Sequence, residues 1–236
     1  MNRQYNFSNL QTPPVAQPVE AALAIDTGSP VVSVAVSVGG QVVAERAIEQ
    51  RQSSGRLLQM IDEALEESGL QLSEIDLLLG LRGPGSFTGL RVGLATLQGM
   101  RMALATQTAT YPTLQVLATL APAGSHAVTA CVDALRGQWL IQDFMAVPPY
   151  RPLHAPETFS AEDFSAKGSH HFVGFGISQW VAQLANTPDV VLIEPGPLAP
   201  QALRILDVCP AERDPDLLAN PLYLRAPAVT PPSPAR

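Results

Sequence analysis

The stretch that decides the fold is residues 75–104, which read IDLLLGLRGPGSFTGLRVGLATLQGMRMAL. Residues 75–81 form a largely apolar run that predicts a buried strand. The run ends in R-G-P-G-S-F-T-G at residues 82–89, where glycine and proline indicate a tight loop. The residues that follow have the spacing of a helix. We therefore predict a strand, a glycine loop and a helix in succession.

The glycine loop has features of an anion-binding turn. Gly83 and Gly85 can adopt positive φ and let another backbone or a ligand approach closely, Pro84 fixes one φ, and Thr88 can cap the helix. Free N–H groups at a helix N-terminus, with the helix dipole behind them, stabilise a phosphate. Gly83, Gly85 and Ser86 are therefore candidates for a cofactor site. A tight turn without any ligand is the alternative.

Three known loop motifs match this segment incompletely. A nucleophile elbow requires G-x-S-x-G, but Pro84 and Thr88 stand where its two glycines belong around Ser86. A P-loop requires lysine after its second glycine, and Leu90 follows Gly89 instead. A dinucleotide fingerprint is closer, yet the acid expected about 20 residues further on is missing. All three sites are disfavoured.

Glycines inside the following helix indicate close packing. Gly93 and Gly99 each cost about 1 kcal/mol relative to alanine, and a packing advantage must offset that cost. Gly89, Gly93 and Thr96 recur at helical spacing, which leaves one nearly flat face. We expect that face to press against a neighbouring helix or sheet.

Four segments resemble one protein family. Residues 82–93, R-G-P-G-S-F-T-G-L-R-V-G, resemble the signature of the TsaB (YeaZ) family, bacterial proteins required for threonylcarbamoyladenosine on tRNA. A-I-D-T at residues 24–27, D-A-L-R-G at residues 133–137 and P-L-Y-L-R at residues 221–225 agree with the same family. The similarity spans about residues 20–225.

The sequence departs from that family at two places. The family often has histidine before its first long helix, whereas Gln52 and Ser53 stand here. Gln138 and Trp139 follow the glycine of D-A-L-R-G, where Glu and Val are common in the family.

The resemblance implies an α/β fold with the two lobes of the actin-like ATPase (ASKHA) superfamily, the second lobe being smaller and degenerate. Periodicity alone gives only mixed α/β. We predict an N-terminal lobe at residues 20–120 whose elements follow the order β-β-β-α-β-α-β-α. Its strands are expected at residues 21–25, 32–38, 41–47, 75–81 and 108–110, and its helices at residues 54–68, 90–105 and 113–120.

The second half is predicted as a smaller C-terminal lobe at residues 121–225, interrupted by several prolines. Expected strands lie at residues 128–132, 138–146, 172–175 and 190–193, and expected helices at residues 161–164, 178–185 and 200–208. Residues 1–19 are predicted to be a disordered extension and residues 226–236 a proline-rich tail. Neither has a pattern that would form a core.

For function, the resemblance implies a non-catalytic subunit that binds and activates a TsaD-like transferase, with which a TsaE-like ATPase also assembles. It further implies a homodimer when the chain is alone, through the first two long helices. Those helices carry more apolar residues than one core stripe requires. The predicted partner-binding residues are Leu57, Met60, Ile61, Ala64, Leu90, Leu94, Leu97 and Arg101.

Candidate groups for metal or nucleotide chemistry are few. Asp26 ends the first strand, where actin-like ATPases place a carboxylate for Mg-bound water, but Asp before Thr-Gly is also a common turn former. The four histidines lack metal-ligand spacing. Asp133 and Arg136 resemble an ion pair that braces a hairpin. We expect no metal and no cofactor of the chain's own, with nucleotide bound only in complex with partners.

Composition limits the partners and the compartment. The chain has 236 residues, of which 46% are hydrophobic and 15% charged, and its net charge is -7. Without a Lys/Arg run it is poorly suited to grip RNA, so contact with tRNA should pass through a partner. No apolar stretch is long enough for a membrane span and no signal-peptide pattern is present, which predicts a cytoplasmic protein. Cys131 and Cys209 are expected to be buried thiols.

Two other classes remain open from the sequence. One is a self-sufficient enzyme, either a nucleotide phosphohydrolase that uses Asp26 and the glycine loop or a peptidase of the same superfamily. The other is a homodimeric scaffold with no part in tRNA modification. ATP turnover by the chain alone separates the first class, and capture of a TsaD-like protein separates the second.

Overall fold

The computed structural model describes residues 19–52, 55–122, 127–134, 137–160, 171–180 and 190–223. Five strands of the first half form one sheet in the order β3-β2-β1-β4-β5. The first three strands are antiparallel neighbours, whereas β1, β4 and β5 run parallel. These strands are β1 (Ala21–Asp26), β2 (Val31–Val38), β3 (Gln41–Glu49), β4 (Leu77–Leu81) and β5 (Gln107–Tyr111).

Helices cover both faces of this sheet. Helices α1 (Leu57–Ser68) and α2 (Phe87–Leu104) pack on one face, where Leu23 and Ile25 of β1 are buried against them. Ala22 and Ala24 face the opposite side and are also buried. Because successive residues of a strand point to opposite faces and both faces are covered, β1 has to be apolar from Ala21 to Ile25.

The second half repeats the strand order of the first. Its sheet has the order β10-β9-β6-β7-β8, in which β6, β7 and β8 are antiparallel neighbours and β6, β9 and β10 are parallel. The sequence showed only the opening hairpin of this repeat, and β8 was not predicted. The strands are β6 (Ala127–Asp133), β7 (Gln138–Met145), β8 (Glu157–Ser160), β9 (His171–Gly174) and β10 (Val191–Ile193).

Two short helices lie between the sheets and share one core. Helix α3 (Thr113–Ala118) follows the first sheet in sequence but packs against β6 and β7 of the second. Helix α4 (Leu198–Arg204) follows the second sheet but packs against β1 and β2 of the first. The lobes therefore exchange helices across a common hydrophobic core.

The chain beyond α4 also returns to the first sheet. Thr110 and Glu212 form an antiparallel bridge through hydrogen bonds of 2.8 and 3.0 Å. The backbone N–H of Leu222 donates to the carbonyl oxygen of Arg82 at 2.7 Å. A boundary near residue 120 thus separates the two sets of strands, but α4 and residues 205–223 pack with the N-terminal lobe.

The predicted element order of the first lobe is confirmed, with small shifts at the helix ends. Helix α1 begins at Leu57 rather than residue 54 and ends, as predicted, at Gly69 in the left-handed conformation. Helix α2 begins at Phe87 rather than residue 90. In the second half, the helix predicted at 200–208 is α4, which begins two residues earlier and ends at Arg204.

Several predictions fall wholly or partly outside the described residues. They concern the helix at 161–164, residues 181–185 of the helix at 178–185, and both terminal segments apart from residue 19. Residues 178–180 belong to a 3-10 helix, Ile177–Trp180. Among the residues that are described, no helix has the length and apolar character that crossing a membrane requires.

Candidate functional site

The glycine loop lies between the end of β4 and the start of α2, packed tightly against two other segments. Gly83 has a φ of 100°, and a Cβ atom there would be 2.5 Å from the carbonyl oxygen of Leu222. Gly85 does not adopt positive φ, so that expectation is wrong, but the close approach of another backbone expected there is confirmed. Glycine is required there because a Cβ atom would be 2.5 Å from the carbonyl oxygen of Gly28.

The flat face of α2 packs against the end of β1, which confirms the predicted packing face. A Cβ atom at Gly89 would collide with the carbonyl oxygen of Thr27, and one at Gly93 would collide with the Thr27 side chain. The Thr27 hydroxyl donates a hydrogen bond of 2.7 Å to the carbonyl oxygen of Gly89. Gly99, on the outer side of α2, has no neighbour within 4 Å, so the packing advantage predicted for Gly99 is wrong. Close packing within the chain thus accounts for Gly83, Gly85, Gly89 and Gly93.

Ser86 caps α2, a role that the sequence analysis gave to Thr88. Its Oγ accepts a hydrogen bond of 3.3 Å from the backbone N–H of Gly89, and its own N–H donates to the carbonyl oxygen of Gly28 at 2.8 Å. The cap forms three residues ahead of Gly89, so the helix starts earlier than predicted. The Ser86 hydroxyl therefore has a structural partner at the helix terminus.

Asp26 is fully buried at the end of β1, beside the glycine loop. Its Oδ1 accepts hydrogen bonds from the N–H groups of Gly28 at 3.0 Å and Ser29 at 3.3 Å, which is the geometry of a turn former. Its Oδ2 is buried without a partner among the described residues. Burial raises the pKa of Asp26 to about 6, although hydrogen bonds from Ser29 and Gly28 lower it in part.

A cleft of about 450 Å³ opens beside the loop, between the start of α1 and the first turns of α2. Thr27, Gln50, Ser86 and Gly89 contribute polar atoms to its wall. The side-chain amide of Gln50 donates to the carbonyl oxygen of Thr27 at 3.1 Å, which ties the chain before α1 to the loop. Leu58 and Val92 belong to the apolar part of the cleft wall, together with Val32 and Leu57.

Most of the predicted partner-binding residues are in the protein's own core, so that prediction needs correction. Seven of the eight side chains pack in the interior of the first lobe, whereas Arg101 is exposed. The apolar stripe of α1 that covers the sheet is wide and also includes Leu65. The buried residues are Leu57, Met60, Ile61, Ala64, Leu90, Leu94 and Leu97.

Other apolar side chains occupy the exposed sides of the same helices. Leu58 of α1 is 61% exposed, Val92 of α2 is 49% exposed, and Met102 near the end of α2 is 83% exposed. The rest of the exposed side of α1 is polar and acidic, and Glu63 and Glu67 there pair with Arg46. The exposed apolar surface therefore lies mainly on α2, with Leu58 beside it.

The remaining candidates form no cluster of metal-ligand type within the described ranges. His154 lies 3.1 Å from a carboxylate oxygen of Asp143, and its pKa is raised by its hydrogen bond with the Ala155 carbonyl and by Asp143. Cys131 and Cys209 are buried free thiols, as predicted. The structure does not describe His126, His170 or Arg136, so the predicted Asp133 pair with Arg136 lies outside it.

Two five-stranded sheets of the same order, with helices exchanged between them, define a two-lobed α/β fold of the actin-like ATPase class. Within that class the chain resembles TsaB (YeaZ), and the resemblance seen in the sequence is confirmed. It is 46% identical over 78 residues to the tRNA threonylcarbamoyladenosine biosynthesis protein TsaB of Haemophilus influenzae, covering 33% of each chain. It is 36% identical over 118 residues to TsaB of Escherichia coli, covering 49% of this chain and 51% of that protein.

The matched segments span between a third and about half of these relatives. The profile of the TsaD family, tRNA N6-adenosine threonylcarbamoyltransferase, matches residues 36–147.

Solved structures extend the similarity of fold over most of the chain. YeaZ from Pseudomonas aeruginosa matches with a TM-score of 0.64 and 24% identity, over 78% of this chain and 88% of that one. A second structure, of a protein with similarity to peptidase YeaZ from Pseudomonas aeruginosa, matches with a TM-score of 0.67 and 23% identity. That match covers 87% of this chain and all of the other. At these identities the two structures support the fold.

Proposed function

We propose that this chain is a non-catalytic subunit that binds and activates a TsaD-like transferase in the synthesis of threonylcarbamoyladenosine at position 37 of tRNA. The transferase would move the threonylcarbamoyl group to N6 of the adenosine, assisted by a TsaE-like ATPase. The chain would reach tRNA only through these partners, consistent with its net charge of -7.

The observation that carries this proposal is the structural use of the glycine signature. Its glycines press against Thr27, Gly28 and Leu222, and the Ser86 hydroxyl caps α2. Asp26 uses one carboxylate oxygen to hold its turn and is closed off from solvent. The residues of this motif are used for packing inside the chain. Such a loop suits a subunit that presents a rigid surface to a partner better than an enzyme whose loop takes part in a reaction.

The surface that we propose for the partner is the cleft between α1 and α2, with Leu58 and Val92 at its exposed edge. A partner side chain placed in this cleft would bury apolar area that now contacts water, at about 25 cal/mol per Å². The cleft wall is held by the Thr27 bonds to Gln50 and Gly89. The same surface would bring two copies together when the transferase is absent.

Affinity capture with a TsaD-like transferase from the same source organism tests the proposal, combined with a tRNA threonylcarbamoylation assay. We expect a stable complex and modification activity that depends on this chain. ATP hydrolysis or peptide cleavage by the purified chain alone would instead establish the self-sufficient enzyme. Dimer formation without capture of the transferase would establish a scaffold.

A further inference from the structure

A second concave site lies at the opposite end of α2 from the glycine loop. It is a cavity of about 490 Å³ where three segments meet: the last turn of α2, the start of β5 and the chain before the 3-10 helix Pro215–Ala219. Arg101 and Arg213 line it from two of these segments, and Gln107 lines it from β5. Met102 and Pro215 supply apolar surface. Cavities of this size hold small organic ligands.

Five of the nine arginines that the structure describes form no ion pair, and Arg101 and Arg213 are the two of these that line this cavity. Arg46, Arg82 and Arg204 each pair with glutamate. Arg101 and Arg213 have no carboxylate within ion-pair distance in the part of the chain that the structure describes, although the protein carries a net charge of -7. Two uncompensated guanidinium groups therefore face one cavity in an acidic protein.

The dipole of α2 explains one of these charges and leaves the other unexplained. A cation in the last turn of a helix is favourable, and Arg101 lies in the last turn of α2. Arg213 reaches the same cavity from a different segment, so two positive charges line it. Like charges at one cavity repel each other, and an anion between them removes the repulsion.

The Arg213 side chain is held in place by one neutral side chain. Its Nη1 donates a hydrogen bond of 2.7 Å to Oε1 of Gln107, an amide that orients the guanidinium without neutralising it. The preceding residue, Glu212, is fixed by its two backbone hydrogen bonds to Thr110. The site is thus ordered while its charge remains available.

We propose that this cavity binds a compact phosphomonoester of mononucleotide size, with the phosphate between Arg101 and Arg213 and the rest of the ligand against Met102 and Pro215. A phosphomonoester carries about two negative charges at neutral pH, which matches two guanidinium groups better than a single carboxylate does. A nucleic-acid backbone would need a longer row of cations than these two. The proposal moves Arg101 from the partner surface to this site and is independent of transferase binding.

Calorimetric titration of AMP into the full chain at low salt tests the site, with adenosine as the ligand that lacks phosphate. We expect AMP to bind and adenosine not to bind. R101Q and R213Q should each weaken AMP binding at least about tenfold, since each removes charged hydrogen bonds to the phosphate. R91Q changes an exposed arginine of the same helix outside the cavity, and it should leave AMP affinity unchanged.

Melting temperatures within 2 °C or so of the parent chain would show that the variants are folded, since about 1 kcal/mol shifts the melting temperature of a chain this size by roughly 2–4 °C. Failure of AMP to bind, or equal loss of affinity in R91Q, would overturn the proposal. So would loss of AMP binding in D26N, which would place the nucleotide at the glycine loop. Binding of a single-stranded RNA that AMP does not displace would show an RNA surface instead. Capture of the transferase is measured separately, so the two proposals can fail independently.

Discussion

Thr27 and Gly89 are joined at the point where β1 ends and α2 begins. The Thr27 hydroxyl donates a hydrogen bond of 2.7 Å to the Gly89 carbonyl oxygen. The Thr27 carbonyl oxygen occupies the place where a Cβ atom of residue 89 would lie. The backbones of α2 and of the residue after β1 are therefore in direct contact. This contact fixes the position of α2 and, with it, one wall of the cleft.

Alanine at position 89 should destabilise the protein, whereas alanine at position 99 should not. G89A places a methyl group onto the Thr27 carbonyl, and a backbone shift of that kind costs roughly 1–3 kcal/mol. G99A is the matched control, because Gly99 has open space and alanine gains up to about 1 kcal/mol in a helix interior. Urea unfolding of both variants measures the difference. Equal stability of the two would contradict the contact.

Valine at position 85 should also destabilise the protein, through the neighbouring turn. G85V drives a side chain into the carbonyl oxygen of Gly28, which would have to move and would take the Ser86 N–H bond with it. We expect a lower melting temperature and weaker transferase capture. G196V is the control, since Gly196 has no neighbour within 4 Å. An unchanged melting temperature together with full capture in G85V would show that the loop tolerates a side chain.

The glycine loop shows how much of this fold can be predicted from the sequence. Its position between strand and helix was predictable, because glycine, proline and the change of periodicity are local signals. At Gly85 the expected close approach of another backbone is confirmed and the expected positive φ is wrong. The sequence did not identify the neighbour, because Gly28, whose carbonyl oxygen excludes a side chain, lies far away along the chain. Local patterns locate a tight loop, but they do not show what lies against it.

Core residues of α1 were expected at a partner surface for a related reason. Leu57 and Met60 looked like surplus apolar residues because one helix stripe was thought sufficient for the core. The sheet beneath α1 needs a wider stripe, which depends on how the helix sits on the sheet. The cavity with Arg213 gave no sequence signal at all, because it joins α2 to a segment more than a hundred positions further along the chain.

Asp26 should make the protein less stable as the pH rises from about 4 to about 6. Burial raises its pKa from 3.8 to about 6 in the folded protein, so the folded state holds the proton more tightly than the unfolded state. Above about pH 7 the cost is complete, at roughly 3 kcal/mol. D26N keeps the oxygen that accepts from Gly28 and should remove this slope, which urea unfolding between pH 4 and pH 8 measures.

Replacement of the exposed acid Asp62 provides the control for that experiment. D62N changes a surface residue of α1 and should keep the slope of the parent chain. Were D26N to lose stability between pH 4 and pH 6 as steeply as the parent, the slope would come from another group.

Glutamate at position 58 should separate partner binding from folding. Leu58 is largely exposed, so L58E should fold normally but weaken transferase capture, since it places a charge at an apolar contact. Met60, two residues away, is 1% exposed, and M60E should unfold or lose at least about 2–5 kcal/mol. Melting temperature and capture are measured on both. Full capture by a folded L58E would place the partner elsewhere.

The return of α4 to the first sheet sets the order of events during synthesis. Strands β1, β2 and β4 leave the ribosome long before residues 198–204, yet Leu198, Ala199 and Ala202 are what cover Ala22 and Ala24. One apolar face of the first sheet, the face that carries Ala22 and Ala24, therefore stays uncovered while the second sheet is being synthesised. Arg82 gains its Glu212 partner only when nearly all the described chain has emerged. The first lobe is translated first, but its core is closed only after α4 has been made. The two lobes therefore fold as one cooperative unit, and the uncovered face of the first sheet exposes the growing chain to aggregation.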